Sequence, residues 1–155
     1  MMDLSLHRFK DALQVRTAAG KRQVWDVIRK KWVALTPEET VRQLLIHYLL
    51  QEKGYNKNRL NLEKQLKVAD RIKRFDILAW SPDMQPYLMV ECKAPNISID
   101  SAVFFQIANY HLAMQVPFLV LTNGIATYCC YIDSVNAKIE VLDAIPTYPE
   151  AGFPV

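Results

Sequence analysis

The sequence predicts an α+β fold, an αβββαβ core with a mixed sheet and an added C-terminal hairpin. Three observations predict it. A capped helix start at Thr36-Pro37-Glu38-Glu39 precedes three strand-like stretches between Leu60 and Lys93, a second helical stretch begins at Asp100, and Asn123-Gly124 joins further strands. Three antiparallel strands followed by a helical crossover to a fourth make the sheet mixed.

Residues 1–20 show weak periodicity and read as a loose N-terminal arm ending at Ala18-Ala19-Gly20; residues 21–145 read as one unit. Val24, Trp25, Ile28 and Trp32 recur at helical spacing, which predicts a short helix over about 21–33. Thr36 suits an N-cap, Pro37 the first helical position, and Glu39 completes a capping box. The helix they start carries Val41, Leu44, Leu45, Tyr48 and Leu49 on one face and stops near Lys53-Gly54. Strands are expected over Leu60–Val68, Arg71–Trp80 and Tyr87–Lys93, with a turn at Ser81-Pro82-Asp83-Met84-Gln85. Asp100–Gln115 returns to helical spacing, with Val103, Phe104, Ile107, Ala108 and Leu112 as its buried stripe, and Pro117 stops it. Phe118–Leu121, Thr127–Ile132 and Lys138–Leu142 complete the strands, Asn123-Gly124 being a strong hairpin signal. Residues 146–155 read as an irregular Pro-rich tail.

The chain of 155 residues, 51% hydrophobic and 23% charged, has the length and composition of one globular domain. No apolar signal-peptide core can be drawn in residues 1–20, and Val41–Leu50 is too short and too polar to span a bilayer, so a cytoplasmic protein without a membrane partner is expected. Cys92, Cys129 and Cys130 read as reduced core thiols, and His7, His47 and His111 form no zinc-ligand spacing. The net charge of +3 hides an asymmetry, with 17 Lys and Arg against 8 acids in residues 1–75 and 2 against 8 thereafter. Such a basic half can track phosphates, although solvated surface lysines give the same count.

Val90-Glu91-Cys92-Lys93 ends an apolar strand on two charges that share a face, with Cys92 turned towards the core. If the strands close around Ser81–Pro86, Asp76 lies across from Glu91 and Trp80 across from Tyr87, so Asp76, Glu91 and Lys93 converge. Two carboxylates about 5 Å apart repel unless a proton or cation lies between them, and Mg²⁺ or Mn²⁺ suits oxygen donors. A cross-strand ion pair of Lys93 with Asp76 or Glu91 explains the same spacing without catalysis. Asp83, in Pro82-Asp83, is read as a turn residue.

Asp76 followed by Glu91-x-Lys93 resembles the PD-(D/E)xK nuclease superfamily, with Phe75 where the pattern often has proline. Gln106-Ile107-Ala108-Asn109-Tyr110 resembles the Gln-x-x-x-Tyr motif of a subset that includes the N-terminal nuclease domain of type I restriction enzyme R subunits. Residues 29–39, Val41-Arg42-Gln43 and Leu121-Thr122-Asn123-Gly124 resemble small stand-alone members of that family, and the similarity covers about residues 21–143. The resemblance implies an α/β/α restriction-endonuclease-like core and Mg²⁺- or Mn²⁺-dependent hydrolysis of DNA. In it Asp76, Glu91 and the Cys92 backbone carbonyl hold the metal, and Lys93 acts on the attacking water. It also implies an acid from the first core helix. Glu38, placed on the buried face, is favoured over Glu39, which already serves the cap. Gln106 and Tyr110 share a helix face and would border the site, and Lys73-Arg74 lie close enough to touch a DNA backbone. Trp25, Trp32 and Trp80 read as packing residues and His111 as a helix-surface residue.

No Gly-x-x-x-x-Gly-Lys-Ser/Thr motor motif occurs in the chain, so restriction or motor subunits would act in trans. Two other readings stand beside the nuclease: an idle nucleic-acid-binding or assembly module that keeps the fold, and a structural dimer built on Phe118–Leu121 and Tyr128–Ile132.

Overall fold

Thr36 begins the main helix as its chemistry dictates: its Oγ1 accepts from Glu39 N at 3.1 Å, and Pro37 opens α1 (Pro37–Glu52). A computed structural model describes residues 1–150; residues 151–155, part of the expected tail, lie outside the described residues. Before α1 the chain departs from expectation. No helix forms over 21–33; instead β1 (Val15–Ala18), β2 (Lys21–Asp26) and β3 (Lys31–Ala34) make a small antiparallel sheet. Its turns explain the outcome. Ala19 and Gly20 both take positive φ, as a two-residue hairpin requires, and Asp26 Oδ1 accepts from Ile28 N and Arg29 N to reverse the chain again. The N-terminal residues are not loose either. Leu6–Ala12 forms a 3-10 helix that buries Leu6 and Phe9 against the α1 core.

After α1 come β4 (Leu60–Val68), β5 (Arg71–Trp80), β6 (Pro86–Cys92), α2 (Ser101–His111), β7 (Phe118–Thr122), β8 (Thr127–Asp133) and β9 (Lys138–Leu142). They form a six-stranded sheet in sequence order, antiparallel except for the parallel β6–β7 pair that α2 connects. The αβββαβ core with its C-terminal hairpin is therefore present, and the fold is α+β. The Asn123-Gly124 turn closes with Asn123 Oδ1 accepting from Ile125 N and Ala126 N, and with Gly124 at φ +88°.

Two apolar cores flank the sheet. Ile77, Ala79, Leu88, Val90, Cys92 and Cys129 face α1, whereas Leu78, Met89, Leu119 and Cys130 face α2 together with Phe75. Cys129 and Cys130 thus point to opposite faces, and all three cysteines are free and buried. α2 ends one turn earlier than expected, and a 3-10 turn over Leu112–Met114 leads to Gln115. Val103, expected in the buried stripe, is exposed; the stripe runs through Phe104, Ala108 and His111. Residues 146–150 form no helix or strand but are pinned down, Tyr148 bonding Trp80 O and Lys53 O. No helix among the described residues is long and apolar enough to cross a membrane.

Candidate active site

β5 and β6 pair as Ile77↔Val90, Leu78↔Met89 and Ala79↔Leu88, the expected register. A bulge then sets Trp80 against Pro86 rather than Tyr87. At the other end the ladder stops at Ile77↔Val90, so Asp76 does not sit in a pair with Glu91 as the hairpin arithmetic predicts. The cause lies one strand away. Glu63 has φ +53°, and the β4–β5 ladder passes over Glu63 and Asp76 between Leu62↔Ile77 and Lys64↔Phe75. Across this irregularity the alternation switches: Phe75 packs on the α2 side and Ile77 on the α1 side. Asp76 is left where the strands part, and its Oδ2 accepts from Cys92 N at 2.6 Å. A positive φ at a non-glycine residue beside such a group is the kind of strain that collects at functional sites.

Glu91 is buried on the α2 side. Its Oε1 lies 3.0 Å from Lys73 Nζ and 3.1 Å from His111 Nε2. Burial pushes the Glu91 carboxyl up, but hydrogen bonds from His111 and Lys73 outweigh it and bring it down to about 2. His111, expected on the helix surface, is fully buried, and its Nδ1 has no hydrogen-bond partner among the described residues. Lys73 and Arg74 pair with Glu91 and with Glu63 respectively. Asp76 shifts the other way. Burial raises its carboxyl despite the Cys92 hydrogen bond and the positive charge of Arg42, while the negative charge of Glu91 adds to the rise and the positive charge of Lys93 opposes it. Lys93 is half-buried and makes no ion pair among the described residues.

The burial of the two helix acids is the reverse of that expected. Glu38 is exposed, not on the buried face, whereas Glu39 is buried. Glu39 does not return a hydrogen bond to complete the capping box. Arg29 Nη2 reaches its Oε1 at 2.6 Å and Arg42 Nε stands 2.9 Å from its Oε2, while Thr36 N donates to Ala34 O. Asp26, fully buried, ties the small sheet into this cluster through Arg29 Nε and Gln43 Nε2. Glu38 lies close enough to the end of β6 that its charge raises the Cys92 thiol, in addition to burial and the Asp76 charge. Gln106 and Tyr110 share the exposed face of α2. With Lys73, Glu91, Ile107 and His111 they line a groove of about 300 Å³. Arg71 stacks on the Tyr110 ring at 5.0 Å.

Among the described residues no three His, Cys, Asp or Glu side chains stand close enough to hold one ion together. Mg²⁺, however, keeps several waters and is often held by one or two carboxylates. Asp76 and Glu91 bond the protein through Oδ2 and Oε1, which leaves Asp76 Oδ1 and Glu91 Oε2 without a donor among the described residues. Asp76 in particular is a half-buried carboxylate whose ionised form the surrounding protein under-compensates. The donor set therefore fits a hard divalent cation.

A family model described as type I restriction enzyme R protein N terminus matches residues 37–146, from the first residue of α1 to just past β9. The chain belongs to this family. The R-protein N-terminal match leaves the small sheet β1–β3 outside it. A solved fragment described as an HsdR subunit of a type I restriction enzyme from Vibrio vulnificus YJ016 is similar over 71% of this chain, at 20% identity and a TM-score of 0.46. The match covers 23% of that chain, so this domain corresponds to under a quarter of it. No curated protein matches.

Proposed function

We propose that this R-protein N-terminal domain is a metal-dependent deoxyribonuclease of the PD-(D/E)xK type, acting on DNA phosphodiesters with Mg²⁺ or Mn²⁺. The observation that carries the reading is the charge arrangement at the β5–β6 fork. A half-buried carboxylate raised by its surroundings, Asp76 where the β5–β6 ladder stops, stands near a second carboxylate and an unpaired lysine at the end of β6. Asp76, Glu91 and the Cys92 backbone carbonyl would hold the cation, and Glu38 would bind water coordinated to it. When bound, such an ion polarises a scissile phosphate and acidifies a water. Lys93 would orient or deprotonate the attacking water and offset charge growing on the phosphate. Asp76 is anchored for this role by the Cys92 N–H, which fixes one oxygen and frees the other. Gln106, Tyr110, Lys73 and Arg74 would border the DNA path. Restriction or motor subunits acting in trans, in the cytoplasm, would bring the DNA to the site. The test is metal-dependent nicking of supercoiled DNA by the pure protein, with Asp76→Ala alongside; cleavage that survives the substitution refutes the assignment.

One observation favours a second reading, an idle binding or assembly module. Glu91 is already neutralised by Lys73 and His111, as in a structural ion cluster. Tight metal-independent DNA binding without cleavage is the outcome that reading requires.

A further inference from the structure

The small sheet β1–β3 precedes the stretch that the family model matches, and its two faces differ sharply. The inner face buries Val24 and Asp26 completely, and Asp26 and Arg29 join it to α1. The pairings Arg16↔Gln23, Trp25↔Trp32 and Ala18↔Lys21 place Arg16, Lys21, Gln23, Trp25 and Trp32 on the other, outer face. Trp25 and Trp32 meet edge to face at 5.5 Å. The Arg16 guanidinium lies over the Trp32 ring at 4.3 Å, and its Nε donates to Gln23 Oε1 at 2.8 Å. Stacking and that one bond hold the guanidinium flat and in place, while its Nη groups donate to nothing among the described residues.

We propose that the outer face of β1–β3 is a platform for the phosphate backbone of double-helical DNA, with Arg16 and Lys21 as its contacts. Charge complementarity selects this occupant. Residues 15–34 carry six Lys and Arg against one acid, Asp26, and that acid is already bonded to Arg29. On the outer face Arg16 and Lys21 are exposed and no acid accompanies them; Lys30 is exposed at the β2–β3 turn, and Arg22 and Lys31 belong to the opposite face. A second copy of the same face would repel it. The tryptophans serve as the support for Arg16 rather than as open stacking surfaces, so recognition is of phosphate and independent of sequence. A pre-positioned planar cation loses little freedom when it grips a phosphate with two N–H groups. Binding here needs neither metal nor Asp76, so it stands or falls separately from the cleavage reading.

The test is fluorescence anisotropy of a short labelled duplex with the full chain in EDTA, titrated across about 0.05–0.2 M salt. The double variant Arg16→Ala/Lys21→Ala is expected to bind about tenfold more weakly, with a plot of log K against log salt shallower by about 1.8, roughly 0.9 per lost phosphate contact. Lys21→Glu alone, at an exposed site, gives the same direction should the double variant fold poorly by circular dichroism. Trp32→Ala is expected to weaken binding although it removes no charge, because Arg16 loses its support. Unchanged affinity and salt slope in folded variants overturn the proposal. So does an equal loss on removing Lys64 and Lys67 from β4, which makes the effect diffuse charge. Tighter binding of oligo-dT than of duplex also overturns it, since the face then reads bases.

Discussion

Replacing Asp76 by asparagine separates what the fold needs at this position from what the proposed chemistry needs. The amide keeps an acceptor for Cys92 N–H, the 2.6 Å bond that holds the side chain, and removes only the charge. That charge is uncomfortable: burial raises the Asp76 carboxyl above its ordinary value, and the Cys92 bond with Arg42 and Lys93 does not bring it back. The sign follows. A carboxyl whose folded-state pKa is raised contributes stability at low pH and loses it as pH rises through the folded value. The neutral amide escapes that loss, so in EDTA near pH 7 Asp76→Asn should be more stable by about 0.5–2 kcal/mol, the usual gain from relieving a functional compromise. For a domain of this size that is a rise in Tm of about 2–4 °C per kcal/mol. The gap should close as pH falls towards the ordinary aspartate value of 3.8. Added Mg²⁺ reverses the order, because an ion bound only by the native fold stabilises wild type by about 2.7 kcal/mol at a hundredfold excess over its Kd. Calorimetric melts at two pH values, with EDTA and with Mg²⁺, read all of this. A variant less stable than wild type by more than about 1 kcal/mol in EDTA, or equally stabilised by Mg²⁺, means that Asp76 carries neither an under-compensated charge nor the metal.

Other consequences rest on the same geometry. Glu91 sits near 2 in the fold against an ordinary 4.5, so its share of stability is present above about 4.5 and lost as pH falls towards 2. Glu91→Gln should therefore cost about 2–3 kcal/mol at neutral pH and flatten the acid limb of a urea-denaturation series. Asp26→Ala leaves Arg29 and Gln43 without their buried partner and should cost about 3–5 kcal/mol, read as a lower urea midpoint. Gly124→Ala should destabilise by about 1–2 kcal/mol, because φ is positive there and the added methyl would meet Val41 at 3.1 Å.

Much of the fold was legible because local signals agreed. Thr36-Pro37 opens α1, Asn123-Gly124 turns β7 into β8, and the spacing from Ile77 to Val90 gives the β5–β6 register. The stretch before α1 was not. Val24, Trp25, Ile28 and Trp32 satisfy a helical period, but the choice was made by turns at Ala19-Gly20 and Asp26 and by Asp26–Gln43 contacts formed only in three dimensions. The candidate site was legible as a set of residues, not as a geometry. Asp76 was found from the hairpin, yet the Glu63 irregularity that keeps it out of the ladder leaves no mark in residue type. Glu38 and Glu39 are neighbours in one turn, and which is buried was decided by Arg29, ten residues before Glu39. His111 was missed, although it continues the Phe104–Ala108 stripe at helical spacing; a histidine on that line was read as surface because it is polar.

Cleavage of DNA at the fork between β5 and β6 is the proposal on which the functional reading stands. It is tested most directly by incubating the pure protein with supercoiled duplex in Mg²⁺, Mn²⁺ or EDTA, beside Asp76→Ala and Lys93→Ala. Wild type should nick with either metal and not in EDTA, and both folded variants should lose at least about a hundredfold. Equal metal-dependent cleavage by wild type and Lys93→Ala would contradict the proposal.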